Sequence, residues 1–392
     1  MYGGGTGMKE QDFVPREFDI FGGLDVDKKS IAVTFMSHQG VLQSFSMPHR
    51  AEHLLSYVGK HFEGKKVAFA YEAGPTGWGL YDRLTSKGYL CVVAAPSMIP
   101  KVPGQRVKTN RLDSQKLSEH LRGGQLKSVH IPSESYRQLR QLVQLRDTFV
   151  KDVTAMKARI KSMLLFEGLE FPLAPAGSQW SLIVRAKLKK LSCSSAVRFK
   201  LDHLMESLES SEKQVLHTIK EIRRFYQQDA ELCQAMHYLK SIPGIGEIVA
   251  SHLLARTGDP QQITNVRQLG GFIGLAPTER STGDRVARGR ITRSGDGRLR
   301  SKLIQAAWSA IRQDPELREF YRSVYQRHPR DRAARKAIVA VARKLTTRIH
   351  AVLKQRRPYV VRQTVHSAPL TQEETSPQGT TRRLAEPGET LS

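Results

Sequence analysis

Cysteine is scarce in this chain of 392 residues: Cys91, Cys193 and Cys233 stand alone and odd in number. Such a set builds neither a disulfide framework nor a zinc spacing, and it suits a reducing compartment. No uninterrupted apolar run approaches the roughly 18 residues of a membrane-spanning helix, and the N-terminal MYGGGTGMKEQDF has no hydrophobic stretch to serve as a signal peptide. A soluble cytoplasmic protein with no membrane partner is therefore expected. Acidic residues are also short: 37 Asp and Glu face 62 Lys and Arg, a formal net charge of +25. A surplus of that size repels itself unless a polyanion absorbs it, and nucleic acid is the commonest polyanion in a cell. With 39% apolar and 25% charged residues the bulk must fold, which excludes collagen-like, mucin-like and wholly disordered chains. At about 100–200 residues per domain, two or three domains are expected.

Residues 1–17 are Gly-rich and polar, and residues 360–392 are rich in Pro, Ser, Thr and Gln; both read as flexible tails. Three blocks lie between them. In the first, 18–125, the runs FDIFGGLDV, IAVTFM and VLQSFSM predict a three-stranded meander. A helix at AEHLLSYVGKHF, a buried strand at KVAFAYEA, a helix ending at Gly88, a strand at YLCVVAA and a helix ending at Gly123 follow. The order βββαβαβα is the ribonuclease H-like one. The second block, 133–237, is rich in helix formers, and Leu201, Leu208, Val215 and Ile222 recur every seven residues, with Leu204 and Phe225 at a second heptad position. That spacing predicts a coiled-coil or helical arm, either dimerising or folded on itself, with residues 166–194 as its turn. The third block, 238–358, reads as helical and dense in arginine.

Four residues of the first block form a candidate metal site. Asp25 lies in the first predicted strand and Glu72 closes the fourth, two strands that are neighbours in a ribonuclease H-like sheet. Asp113 lies on the last helix, with Asn110 one turn earlier on the same face. Acids converging there with no evident paired arginine make a hard oxygen site suited to Mg²⁺ or Mn²⁺, which could clamp the oxygens of a phosphodiester.

Two further motifs suit phosphates. In SIPGIG, residues 241–246, Pro243, Gly244 and Gly246 make a turn whose backbone N–H groups could meet a phosphate at a helix start, as in helix-hairpin-helix motifs. From 280 to 300 stand Arg280, Arg285, Arg288, Arg290, Arg293, Arg298 and Arg300 against Asp284 and Asp296, with glycines between and Lys302 just beyond. This segment reads as a loop lying along phosphates. Within it Ser281 and Thr282 precede Gly283 and put hydroxyls beside cations, where either a nucleophile or an ordinary phosphate-loop turn is served.

The blocks, in this order, resemble the DEDD transposases of bacterial insertion sequences, the family that includes the Piv-type DNA invertases. The motifs carrying the resemblance are GLDVDKKSIAV with Asp25, YEAGPTGWGLYDRL with Glu72, RVKTNRLDSQKLSEHL with Asp113, and IPGIG, FIGLAPTERSTGD and RGRITRSGDGRLRSKLIQAAW. The resemblance implies a RuvC-like N-terminal domain, a coiled-coil arm, and a C-terminal transposase domain with a helix-hairpin-helix-like motif. It also implies a composite active site in which acids and Mg²⁺ act with a covalent serine. The partners implied are double-stranded DNA at element ends and target, a structured guide RNA and further copies of the chain, as a dimer or tetramer, at the bacterial nucleoid. Two positions depart from the family pattern. The third acid is replaced by Asn110, whose neutral oxygen weakens metal binding, and the family's serine directly before the glycine is Thr282, with Ser281 one residue earlier. The methyl group of threonine hinders attack, which favours Ser281. Two alternatives stay open: a RuvC-like junction-resolving nuclease that uses water as nucleophile, and a nucleic-acid-binding relative without catalysis.

Overall fold

Apolar runs too continuous for a half-exposed sheet give the first unit its centre. The computed structural model describes residues 13–100, 109–173, 179–263, 265–282 and 285–361, with the backbone alone at 280–282 and 285–288. Strands β1 (Ile20–Val26), β2 (Ser30–Met36) and β3 (Val41–Pro48) form an antiparallel meander. Helix α1 (Ala51–His61), β4 (Val67–Glu72), α2 (Gly79–Ser86), β5 (Leu90–Ala94) and α3 (Asn110–Arg122) complete the unit. The sheet order is β3-β2-β1-β4-β5, with β4 parallel to β1 and β5 parallel to β4. Leu24, Val33, Phe35, Phe69 and Tyr71 bury one face against Leu54 and Val58 of α1 and Leu80 and Leu84 of α2. On the other face Phe21, Ala68, Ala70 and Val92 meet Leu121 of α3, and Phe13 and Phe18 pack against the same cluster. Residues 13–17 thus belong with the folded part rather than with a tail.

The chain divides into two units, Met1–Glu134 and Ser135–Ser392. The second is built from α4 (Glu134–Phe166), α5 (Leu182–Lys189), α6 (Ser195–Gln228), α7 (Ala230–Lys240), α8 (Glu247–Thr257), α9 (Val266–Ile273), β6 (Pro277–Thr282), β7 (Arg285–Ile291), α10 (Gly297–Gln313), α11 (Pro315–Gln326) and α12 (Arg330–Gln355). Short polar side chains start these helices: Ser181, Ser194, Asp229, Asn265, Asp296 and Asp314 each accept a backbone N–H of the turn they open. Helix α5 lies inside the stretch expected to be a turn. Its Ser181 cap and the apolar pair Val184 and Leu188, one helical turn apart, outweigh the flanking turn residues. Of the heptad positions of α6, Leu201, Leu208 and Ile222 are buried within the chain, whereas Val215 is half-buried. Leu201 and Leu208 pack with Ile160 and Leu164 of α4 and Val184 and Leu188 of α5. Ile222 joins a second core with Tyr136, Leu139 and Val143 of α4 and with helices α7 to α12. Among the described residues no helix is long and apolar enough to cross a membrane.

One buried ion pair fixes the corner between α10 and α11. Asp314, fully buried, caps α11 through Leu317 N at 3.1 Å and accepts from Arg348 Nη1 at 2.5 Å and from Tyr359 OH at 3.3 Å. Removing the carboxylate leaves the buried guanidinium with the more exposed Glu316, 3.1 Å from its Nη2, as its remaining counter-charge. Asp314→Ala is expected to lower unfolding free energy by about 3–5 kcal/mol, read from urea midpoints, and Asp314→Ala with Arg348→Met is expected to recover part of it.

Candidate functional site

The acidic rim is set by strand register. Leu24 of β1 pairs with Tyr71 of β4, so Asp25 and Glu72 are the next residues along two neighbouring parallel strands, at the same end of the sheet. Asp25 is half-buried and Glu72 exposed. Alternation puts both on the α3 face, in line with Phe21 and Gly23 on β1 and with Ala68 and Ala70 on β4. Gly23 decides how close α3 comes: a Cβ there would overlap the carbonyl oxygen of Ser114 and the amide nitrogen of Ser118. The helix is fastened at that approach by Ser118 Oγ donating to Phe21 O at 2.7 Å and by the Ser114–Thr34 hydroxyl pair at 2.9 Å. Gly23, two residues before Asp25, therefore seats a helix.

Helix α3 begins at Asn110, exposed, with Thr109 Oγ1 accepting from Leu112 N at 3.3 Å. Asp113 follows in the first turn, directly before the fastened Ser114. It has a cation nearby, Lys116 Nζ at 3.6 Å, which sequence reading had not placed. Among the described residues no three His, Cys, Asp or Glu side chains form a group that could hold a metal ion. The fit to a divalent cation is thus one of donor type and backbone placement: three carboxylates and an amide oxygen, all hard ligands, on two strand ends and on a helix seated over their face.

The SIPGIG turn joins α7 to α8. Gly244, at φ +84°, lies against α10, where a Cβ would overlap Ala306 O and come within 2.8 Å of Ala310 N. Its N–H donates to Gln313 Oε1 at 3.3 Å, so this amide is engaged by the protein. At the start of α8 Glu247 accepts from Arg223 at 2.6 and 2.9 Å and from Tyr226 OH at 2.7 Å, contacts that hold its carboxyl below the usual range. Pro243 is half-buried, while Gly246 is exposed, with open space where a Cβ would stand. Gly246 is the accessible part of the turn.

The arginine-rich segment is a hairpin rather than a loop. Strands β6 and β7 pair antiparallel with Glu279 opposite Arg288, Arg280 opposite Ala287, Ser281 opposite Val286 and Thr282 opposite Arg285. Ser281 and Thr282 are thus the last two residues of β6. Gly283 and Asp284 lie outside the described residues, as do the side chains of 280–282 and 285–288 and the basic stretch 101–108. Arg290, Arg293 and Arg298 are exposed. Arg300 instead turns inward and donates to Ile273 O at 3.0 Å and Arg293 O at 3.4 Å. Lys302 is largely buried beside Asp147 at 3.7 Å, and burial, with Arg146 nearby, lowers its pKa against the pull of Asp147.

Sequence reading missed the centre of that cluster. Asp147 of α4 is 2.9 Å from His252 Nε2 of α8, whose Nδ1 faces Ile248 O at 2.7 Å. Both ring nitrogens face acceptors, so both contacts are hydrogen bonds only when the ring carries two protons. Burial alone would raise the Asp147 carboxyl. The hydrogen bond and charge of His252, with Lys302 and Arg146, instead bring it from 3.8 to about 2. The sign follows: stability from this group is full above pH 4 and is lost as pH falls toward 2. Wild type is expected to lose about 2 kcal/mol more than Asp147→Asn between pH 5 and pH 2, read from urea unfolding at each pH.

Comparison with known proteins places both units. Residues 236–322 match the Transposase IS116/IS110/IS902 family, and residues 22–167 match a transposase family of the IS110 DEDD type. The chain is 32% identical over 310 residues to a putative transposase, y4qE, of Sinorhizobium fredii, covering 78% of this chain and 75% of the relative. It is 26% identical over 267 residues to the transposase for insertion sequence element IS1111A of Coxiella burnetii, covering 64% of this chain and 68% of the relative. The pilin gene-inverting protein of Moraxella bovis is 31% identical over 131 residues, 33% of this chain and 40% of the relative.

Proposed function

The chain belongs to the IS116/IS110/IS902 family of transposases, and from that premise we propose that it cuts and rejoins DNA through a phosphoester to its own hydroxyl at Ser281 or Thr282. The observation that carries the reading is the register that sets Asp25 and Glu72 at the same end of two neighbouring parallel strands, under a helix seated on Gly23. On strand order we read the first unit as RuvC-like, with α4 to α6 as the coiled-coil arm and α7–turn–α8 as the helix-hairpin-helix element. DEDD membership carries use of a divalent cation in general; Mg²⁺, or Mn²⁺, is our assignment. Asp25, Glu72 and Asp113 would hold it, with Asn110 as a neutral fourth donor. Bound there, the ion supplies Lewis-acid polarisation of a phosphoryl oxygen.

The chain's own groups do the rest. Exposed Arg290, Arg293 and Arg298 orient the backbone phosphates and favour the charge that builds on phosphorus. The hydroxyl oxygen of 281 or 282 forms a bond to phosphorus as the P–O3′ bond breaks. The hydroxyl proton is lost and the departing oxygen gains one, leaving a 3′-OH and a protein-linked 5′-phosphate. A second 3′-OH then displaces the protein oxygen. The phosphoester keeps the bond energy, so rejoining needs no ATP. The partners in this reading are double-stranded DNA at element ends and target, a structured guide RNA and further copies of the chain, in the bacterial cytoplasm at the nucleoid.

A nuclease using water as nucleophile would leave free ends, and Asn110 keeps a non-catalytic relative in view. Incubation of the purified protein with labelled duplex and Mg²⁺ is expected to yield a protein–DNA adduct that survives denaturing electrophoresis. Ser281→Ala, Thr282→Ala and the double variant identify the hydroxyl. Full recombination by the double variant would overturn the covalent mechanism.

A further inference from the structure

Large aromatic rings normally leave water on folding, yet three stay near the surface where α10 meets α11. Trp308 is 42% exposed and Tyr325 is 37% exposed, and both flank the partly buried Tyr321. The centroid distances are 5.8 Å from Trp308 to Tyr321 and 6.0 Å from Tyr321 to Tyr325, with interplanar angles of 55° and 32°. Two helices thus present one row of rings. Admitting a flat base between two rings takes about two stacking separations of 3.4 Å, more than this spacing leaves, so the available surfaces are the outer faces of Trp308 and Tyr325.

The surroundings of the row are cationic. Three and four residues away on a helix are the positions that share a face. At those spacings Trp308 has Arg312, Tyr321 has Arg318 and Tyr325 has Arg322, and none of the three rings has an Asp or Glu there. Arg312, Arg318 and Arg322 are all exposed. Arg318 also fixes the junction, donating to Ile311 O at 3.1 Å and Arg312 O at 2.8 Å, which holds α11 against the end of α10 and keeps the rings in line. A row of rings on a rigid helix pair, edged by guanidinium groups and free of carboxylates on its own faces, offers π-surfaces for bases and positive charge for the phosphates between them.

We propose that Trp308 and Tyr325, braced by Tyr321 between them, form a stacking platform for unpaired bases of a single-stranded nucleic acid, with Arg312 and Arg322 on its backbone. Paired bases in a duplex keep their faces covered by neighbours, so the platform selects single strands where the rest of the basic surface does not. The proposal rests on the nucleic-acid reading above and adds a strand-state preference to it. It concerns the second unit alone.

The test uses the full chain and three fluorescein-labelled probes of equal length: oligo-dT, oligo-U and a blunt duplex, read by anisotropy at one salt concentration. Trp308→Ala and Tyr325→Ala are each expected to weaken single-strand binding by about 5- to 100-fold and duplex binding by less than about twofold. Trp308→Phe and Tyr325→Phe are expected to restore affinity to within about threefold, because a ring remains. Tyr325→Leu, apolar without a ring, is expected to behave as Tyr325→Ala. Loss on oligo-dT assigns the strand as DNA and loss on oligo-U as RNA. Unchanged single-strand affinity in the alanine variants, equal losses on single strand and duplex, or rescue by leucine would overturn the platform. If wild type fails to bind the duplex, the transposase mechanism is what fails, and the two single-strand probes still decide the platform. Urea midpoints of the variants, expected to match wild type for exposed rings, separate these outcomes from misfolding.

Discussion

Asp25→Asn and Glu72→Gln are each expected to lower strand exchange by about 10²–10³-fold or more while duplex affinity stays within about twofold. Each change swaps a carboxylate for a near-isosteric amide, so the strands keep their register and only the charge at the rim is lost. The two residues lie at the same end of neighbouring parallel strands and point to the face that α3 covers. Neither is buried enough for its removal to unfold the sheet: Glu72 is exposed and Asp25 half-buried. Raising Mg²⁺ or Mn²⁺ is expected to recover part of the activity of each variant, because the loss is one of metal affinity before it is one of chemistry. Asn110→Asp, which restores a fourth carboxylate, is expected to lower the metal concentration needed for half-maximal activity. Equal loss of DNA binding and exchange would instead mark the acids as structural.

The second large effect is expected at Gly23. Gly23→Ala adds a single methyl group, but that methyl meets the backbone of α3 at Ser114 and Ser118, and backbone cannot rotate away as a side chain can. The helix must move off the sheet, breaking the Ser118–Phe21 and Ser114–Thr34 hydrogen bonds. A cost of about 1–3 kcal/mol or more in urea unfolding is expected from overpacking of this kind. Strand exchange is expected to fall with it, because α3 carries Asp113. Gly74→Ala is the matched control: its nearest neighbour is Glu72 O at 3.7 Å, and wild-type stability is expected.

How far a sequence discloses such a site depends on whether the signal is local. Runs such as VAFAY and LCVVA declare buried strands by themselves, and the order of strands and helices leaves few ways to arrange a sheet. The side-by-side ends of β1 and β4 follow from that order. The role of Gly23 was hidden because its partner, Ser114, is a contact across the fold. The β6–β7 hairpin escaped notice because PTERST carries Pro and Glu and RVARGRI carries Gly, residue types poor in strand propensity, whereas pairing across the hairpin decides the backbone. Counting arginines placed Arg300 on a phosphate, although its guanidinium satisfies two backbone carbonyls. Asp147 and His252 are 105 residues apart, on α4 and α8, and no periodicity links them. The ring row of Trp308, Tyr321 and Tyr325 crosses from one helix to the next, so it too becomes visible only when the corner at Asp314 is formed.

Iron(II) in place of the native cation, followed by ascorbate and peroxide, generates hydroxyl radicals that cut the polypeptide beside the bound metal. With the acids of the rim as ligands, scission is expected at 25, at 72 and at 110–113, and it should disappear in Asp25→Asn. Scission confined to other segments, or an unchanged pattern in that variant, would contradict the account.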